Sequence, residues 1–237
     1  MAANIMYGTL YAILYFLRII GVLRWRVEGR ENLPPRASGG MILITNHIHW
    51  VDIPVIGAML PFSHRLSWLA KIELFENPIL GWWFRAMQVI PIKRGRRDLA
   101  ALDAAETAVG AGAVLLIFPE GHRSGNGNLQ KGRGGAVRLA MRTGRPIIPA
   151  AIIGTEGGLK GVLTGKPVIV RIGKPYLVDS TPDGKVPPDQ MEQLTTNMML
   201  RIATLLPPDQ HGAYTSALPE NASASARAGE RGQVKLL

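Results

Sequence analysis

The chain has 237 residues, 47% of them hydrophobic, no cysteine and a formal net charge of +10. That length suits one α/β domain with a large core, and so apolar a composition excludes a disordered protein. Without cysteine there is no disulfide, no thiolate nucleophile and no thiolate zinc site, and a reducing compartment is compatible. The positive balance favours an anionic partner. With aromatics at 6% and no basic run interleaved with them, no nucleic acid is expected.

Between Asn4 and Leu23 the chain is apolar apart from Arg18, three tyrosines and one threonine. A helix of that length covers about 30 Å. Met6, Leu10, Ile13, Leu14, Leu17 and Ile20 share one helical stripe, and Tyr7, Tyr11, Tyr15 and Arg18 another. A tyrosine stripe ending in arginine suits the membrane–water interface, so residues 1–24 are predicted to be a membrane-associating helix lying in one leaflet. Arg24 and Arg26 would meet anionic headgroups on the cytoplasmic face. No basic n-region or A-x-A site marks a signal peptide.

A folded domain is expected over 25–206. Short apolar runs predict strands at 25–29, 41–45, 66–70, 88–92, 113–118, 146–153 and 167–172. Helical periodicity predicts helices at 53–60, 77–87, 98–109, 136–142 and 190–205, the second with Pro78 in its first turn. The cluster Lys93-Arg94-Gly95-Arg96-Arg97 follows one strand, and a turn-rich loop at 121–127 another. Alternating strands and helices predict an α/β fold with a central, mostly parallel or mixed sheet flanked by helices. Residues 207–237, rich in Ala, Ser and Pro, read as a disordered tail.

Two segments carry the chemistry, each just beyond a predicted buried strand, where α/β sheets bind ligands. The first is Asn46-His47-Ile48-His49-Trp50-Val51-Asp52. A hydroxyl attacks well only when a base takes its proton, and imidazole titrates near neutrality. Five residues allow a strand-to-helix turn to bring Asp52 back onto His47, as in a triad whose serine is replaced by the substrate hydroxyl. A buried structural histidine with Asp52 at a helix start fits the spacing equally well. His47-x-His49-x-x-Asp52 also resembles half a metal site, but no further ligand spacing completes it, and no metal is expected.

The second segment is Phe118-Pro119-Glu120-Gly121-His122-Arg123-Ser124. Gly121 permits close backbone approach, and Arg123 offers planar donors for a phosphate. Glu120 would orient Arg123 or bind a substrate hydroxyl. Arg94 is a second candidate anion ligand, alongside Lys93.

His-x4-Asp followed by Phe-Pro-Glu-Gly-x-Arg-Ser resembles the PlsC-type 1-acylglycerol-3-phosphate O-acyltransferase family, over roughly Trp25 to Pro208. Further similarity lies in Ala70-Lys71 with Glu73-Leu74-Phe75, in Pro91-Ile92-Lys93-Arg94-Gly95, in Lys131-Gly132 and in Ile148-Pro149-Ala150. The resemblance implies that His47 is the base and Asp52 its partner. It implies that Arg94, Glu120, Gly121 and Arg123, with Lys93 and Lys131, hold the acceptor. Asn46, His49, His122 and Ser124 would be accessory. It implies an acyl-CoA or acyl carrier protein co-substrate, a lysolipid acceptor, an anionic membrane surface as partner and no further cofactor. The chain departs from the family pattern where His49 replaces a common Ser, His122 a common Thr, and Lys93 a small or acidic residue. These departures leave open another lysolipid acceptor, such as a lyso-ornithine lipid. A metal-dependent hydrolase and a non-enzymatic lipid-binding protein are the rival readings.

Overall fold

A computed structural model describes residues 2–92, 99–179, 181, 183 and 185–218, with side chains from Ile5. Lys93 and Arg94 lie outside the described residues. Seven strands form one mixed sheet: β1 (Trp25–Glu28), β2 (Met41–Ile44), β3 (Leu66–Lys71), β4 (Ile90–Ile92), β5 (Val114–Ile117), β6 (Ile147–Ile153) and β7 (Val168–Ile172). Their order is β1-β7-β6-β2-β5-β3-β4, and every neighbouring pair is parallel except β6 with β7.

The helices are α1 (Ala2–Ile19), α2 (Asp52–Met59), α3 (Pro78–Ala86), α4 (Leu99–Gly110), α5 (Gly135–Thr143), α6 (Gly158–Leu163) and α7 (Pro188–Ala203). Strand alternation sends β2 side chains to opposite faces. Met41 and Leu43 join a core with Val55 and Ile56 of α2 and the inner residues of α1. Ile42 and Ile44 join a second core with Val109, Val137, Met141, Met198 and Ile202 of α4, α5 and α7. Both faces of β2 are therefore covered, which is why it reads as an unbroken apolar run.

Most predicted elements form within a few residues of their expected limits, and the exceptions have local causes. The strand expected from Gln88 starts at Ile90, because Gln88 takes φ 61° and Val89 N–H still donates to Phe84 of α3. Helix α3 starts where Asn77 accepts from the amides of Ile79 and Leu80, with Pro78 at its first position. Helix α6, only six residues long and containing two glycines, was not expected from its sequence.

The expected tail is corrected as far as residue 218. Residues Pro208–Gln210 and Gly212–Ala217 form 3-10 turns. His211 and Tyr214 are buried, and Tyr214 belongs to the second core. Tyr214 also accepts from Gly132 N–H, which ties the segment to the domain.

The face assignment of α1 is also corrected. Tyr7 is only 2% exposed; it stacks on Tyr11, hydrogen-bonds to it, and lies under the Arg65 guanidinium. Gly57 of α2 leaves room for the Tyr11 hydroxyl, since a Cβ there would lie 2.6 Å from it. These tyrosines dock the helix on the domain. The outward face is apolar instead: Ile5, Ile13, Tyr15, Phe16, Ile19 and Ile20 are each more than half exposed. Among the described residues no helix is long and apolar enough to cross a membrane.

Candidate active site

The two motif loops leave the carboxyl ends of β2 and β5, which are adjacent parallel strands. The β2 loop starts from a fixed point. Asn46 is buried; its amide donates to the Ile152 carbonyl at 2.9 Å and accepts from the Ile152 amide at 2.8 Å. Asn46 thus extends the β2–β6 ladder through a side chain and spends its polar groups on the sheet, not on a ligand.

The next turn is organised around Asp52. Its Oδ2 accepts from the amides of Ile48 at 2.7 Å and His49 at 2.9 Å, and lies 2.8 Å from His47 Nδ1. The carboxylate is fully buried and opens α2, where the helix dipole favours negative charge. Its Oδ1 is buried with no hydrogen-bond partner among the described residues. The His47 ring is stacked on Phe118 at 3.8 Å and 18°. With Nδ1 held by Asp52 and one ring face covered, Nε2 is the nitrogen left for a ligand. It has no partner among the described residues, and the side chain remains 12% exposed. An imidazole so held can accept a proton at Nε2 while the carboxylate stabilises the resulting charge.

His49 does not join this pair. Its Nδ1 accepts weakly from Val51 N–H, and its ring packs on Gly158, where a Cβ would sit 2.8 Å from Nε2. The contact requires glycine, and Gly158 also takes φ 59°. The half metal site suggested by His47, His49 and Asp52 is therefore not assembled. Among the described residues no three His, Asp or Glu side chains converge to hold a metal ion.

The β5 loop is joined to the β2 loop by Glu120. One carboxylate oxygen accepts from His47 N–H at 2.7 Å and the other from Gln130 N–H at 2.9 Å. Glu120 is 1% exposed, and burial pushes its carboxyl up to about 7, against the opposing pull of those two amides. Glu120 ties the backbone of the base to the far side of its own loop, and among the described residues it forms no ion pair with Arg123. Ser124 adds a second tie by donating its amide to the His47 carbonyl at 2.7 Å. His122 folds back on the Glu120 carbonyl and the Gln130 side chain.

Gly121 turns the chain at φ 77°. Arg123 is exposed on the loop, and exposed Lys131 lines a hollow with His122, Gln130 and Ala213. Three contributors were missed by the sequence reading. Gln130 supplies the second amide to Glu120, Arg133 packs across Gly121, and Tyr214 accepts from Gly132 N–H at 3.0 Å. Only Arg133 left a trace, as a cation two residues beyond Lys131.

A family model described as Acyltransferase matches residues 24–153. The chain is 32% identical over 155 residues to a chloroplastic 1-acyl-sn-glycerol-3-phosphate acyltransferase of Brassica napus, covering 63% of this chain and 44% of the relative. It is 30% identical over 162 residues to the 1-acyl-sn-glycerol-3-phosphate acyltransferase of Bacillus subtilis, covering 67% and 78%. It is also 32% identical over 128 residues to the lyso-ornithine lipid O-acyltransferase of Pseudomonas aeruginosa, covering 54% and 46%. The chain thus spans less than half the length of the plant relative. The crystal structure of the acyltransferase PlsC from Thermotoga maritima has the same fold, with a TM-score of 0.55 at 22% identity over 84% of this chain and 96% of that one. The matched segment runs from β1 to the end of β6 and contains both motif loops with the His47–Asp52 pair, so the chain belongs to the acyltransferase family.

Proposed function

We propose that this protein transfers a fatty acyl group from an acyl thioester, on coenzyme A or acyl carrier protein, to the free sn-2 hydroxyl of lysophosphatidic acid, giving phosphatidic acid. The observation that carries this reading is the His47–Asp52 pair at 2.8 Å, with Nε2 unbonded among the described residues, at the joint of two motif loops. His47 is the base and Asp52 its orienting partner. The acceptor hydroxyl attacks the thioester carbonyl as its proton passes to Nε2. The tetrahedral intermediate then collapses, the C–S bond breaks, and the leaving sulfur takes the proton from the imidazolium. An ester and a free thiol result, with no acyl-enzyme and no cofactor beyond the co-substrate.

In this reading the acceptor phosphate docks on Arg123 with Lys93 and Arg94, and Lys131 stands at the rim. Gly121 keeps the loop close to the glycerol backbone. The acceptor's acyl chain stays in the membrane, against which the outward apolar face of α1 lies, on the cytoplasmic side. The net charge of +10 suits both anionic lipid and an acidic donor carrier. Residues 25–206 would be the acyltransferase domain.

The test is free-thiol release from acyl-CoA, with and without lysophosphatidic acid. Release that requires acceptor and falls about 10²–10⁴-fold in His47→Ala supports the reading. Near-wild-type release by that variant would overturn the mechanism, and release that ignores acceptor would favour a hydrolase. A second acceptor class is favoured by the relative acting on lyso-ornithine lipid, equal in identity to the plant enzyme, and by His122 in the acceptor loop. Parallel titrations of both lysolipids separate them.

A further inference from the structure

Arg133 lies with its side chain against the motif turn. Its amide donates to the Pro119 carbonyl at 2.8 Å, which ties it to the residue before Glu120. Its side chain then crosses Gly121. A Cβ added at Gly121 would lie 2.9 Å from Nε, 3.0 Å from Cζ and 3.2 Å from Cδ of Arg133. Gly121 is required for φ 77°, and its bare Cα lets the Arg133 side chain lie across the turn.

Several other arginines have acceptors or rings. Arg142 pairs with Asp103 and Glu106, Arg171 with Glu28, and Arg201 lies over Tyr176. Arg133 forms no ion pair among the described residues and remains exposed. The nearest carboxylate in sequence, Glu120, is buried and spends both oxygens on amides. The loop that carries Arg133 is also braced, because Gly132 N–H is held by Tyr214 and Gln130 N–H by Glu120. Lys131, by contrast, faces the hollow bounded by Gly212 and Ala213. A guanidinium with no ion pair among the described residues, lying across a glycine turn on a braced loop, suits a planar array of anionic oxygens.

We propose that Arg133 is an acceptor-binding residue that takes the phosphomonoester of the lysolipid headgroup, acting from across Gly121 alongside Arg123. This rests on the acyltransferase reading above and adds a ligand and a headgroup preference to it. A phosphomonoester carries more charge and more free oxygens than a phosphodiester, so Arg133 should discriminate between them.

The experiment uses the full chain and two readouts: steady-state turnover with lysophosphatidic acid, and calorimetric binding of glycerol 3-phosphate. Arg133→Gln is expected to raise the acceptor KM about 10-fold or more, as for a lost charge-assisted hydrogen bond, with donor KM and Tm near wild type. It should weaken glycerol 3-phosphate binding by the same factor. Arg133→Lys should recover only part, because an ammonium lacks the planar fork. Lys185→Gln removes the same charge from a side chain that pairs with Asp183, and should change nothing. An acceptor KM within twofold of wild type in Arg133→Gln overturns the proposal. If the wild type fails to turn over lysophosphatidic acid yet Arg133→Gln still loses glycerol 3-phosphate, the acceptor reading fails and the phosphate site stands. If the wild type binds no glycerol 3-phosphate, the site is refuted.

Discussion

The two loops that meet at the site are built in opposite ways. The β2 loop organises itself: Asp52 reaches back three to five residues to collect the amides of Ile48 and His49 and the ring of His47. The β5 loop is organised from outside. Its ties run from Glu120 to His47, 73 residues away, and from Gly132 to Tyr214, 82 residues away. The first loop holds the proposed base and the second the proposed acceptor ligands. Damage to the first should therefore appear in turnover, and damage to the second in acceptor binding and pH dependence.

The sharpest way to break that contrast is Asp52→Asn. Two backbone amides still call for an oxygen at the Oδ2 position, so the asparagine carbonyl stays there and its NH2 falls on the buried, unpartnered Oδ1 position. The His47 tautomer survives, but the charge that stabilises the imidazolium is gone. We expect kcat to fall about 10- to 100-fold, the size of a charge-assisted hydrogen bond, with acceptor KM little changed. A variant that lost acceptor affinity instead would show that the β2 loop is not autonomous.

Glu120→Gln should give a smaller, mixed effect. An amide has one oxygen for two donors, so either His47 N–H or Gln130 N–H would face an NH2 group. The expected cost is about 1–3 kcal/mol, seen as a fall in Tm of about 2–10 °C, with kcat down about 10-fold as His47 loosens. The sign of its pH dependence is fixed by the raised carboxyl. The folded chain keeps a proton until about pH 7, whereas the unfolded chain releases it near its ordinary value of 4.5. That contribution to stability is full below 4.5 and lost as pH rises through about 7, a difference of about 3 kcal/mol. Denaturant unfolding at intervals over that range should show the decline in wild type and not in Glu120→Gln. Identical slopes would mean that Glu120 is ionised throughout.

The same contrast explains what was legible in the sequence. His47 and Asp52 could be paired on paper because their geometry needs only a strand end, a turn and a helix start. The buried strands announced themselves as apolar runs for the same local reason. Glu120 was picked out, but no local rule says that its oxygens accept from backbone amides that the sheet brings together. Asn46 was expected as an accessory residue, and only the β2–β6 register reveals that it pairs with Ile152. On α1 the periodicity was readable, but not which stripe faces inward. That depends on Gly57 and Phe62, which make a seat for Tyr7 and Tyr11. Tyr214 sits in a stretch whose composition gave no helix or strand signal, and its role depends on one hydroxyl meeting one distant amide.

Tyr214→Phe is the gentlest test of the contrast. Phenylalanine keeps the ring in the second core, so packing is conserved. Only the acceptor for Gly132 N–H is removed. The loop keeps its other brace to the C-terminal turn, where Leu129 N–H donates to Gln210 and Ala213 N–H to Leu129, both at 3.0 Å. The loss should therefore be that of one neutral hydrogen bond, about 2- to 10-fold. If the β5 loop serves acceptor binding, that factor falls on the acceptor KM and leaves kcat and donor KM alone. A drop in Tm with unchanged kinetics would make the turn a support for the fold only. A drop in kcat instead would mean that the displacement passes through Gln130 and Glu120 to the backbone of His47, and that the two loops act as one unit.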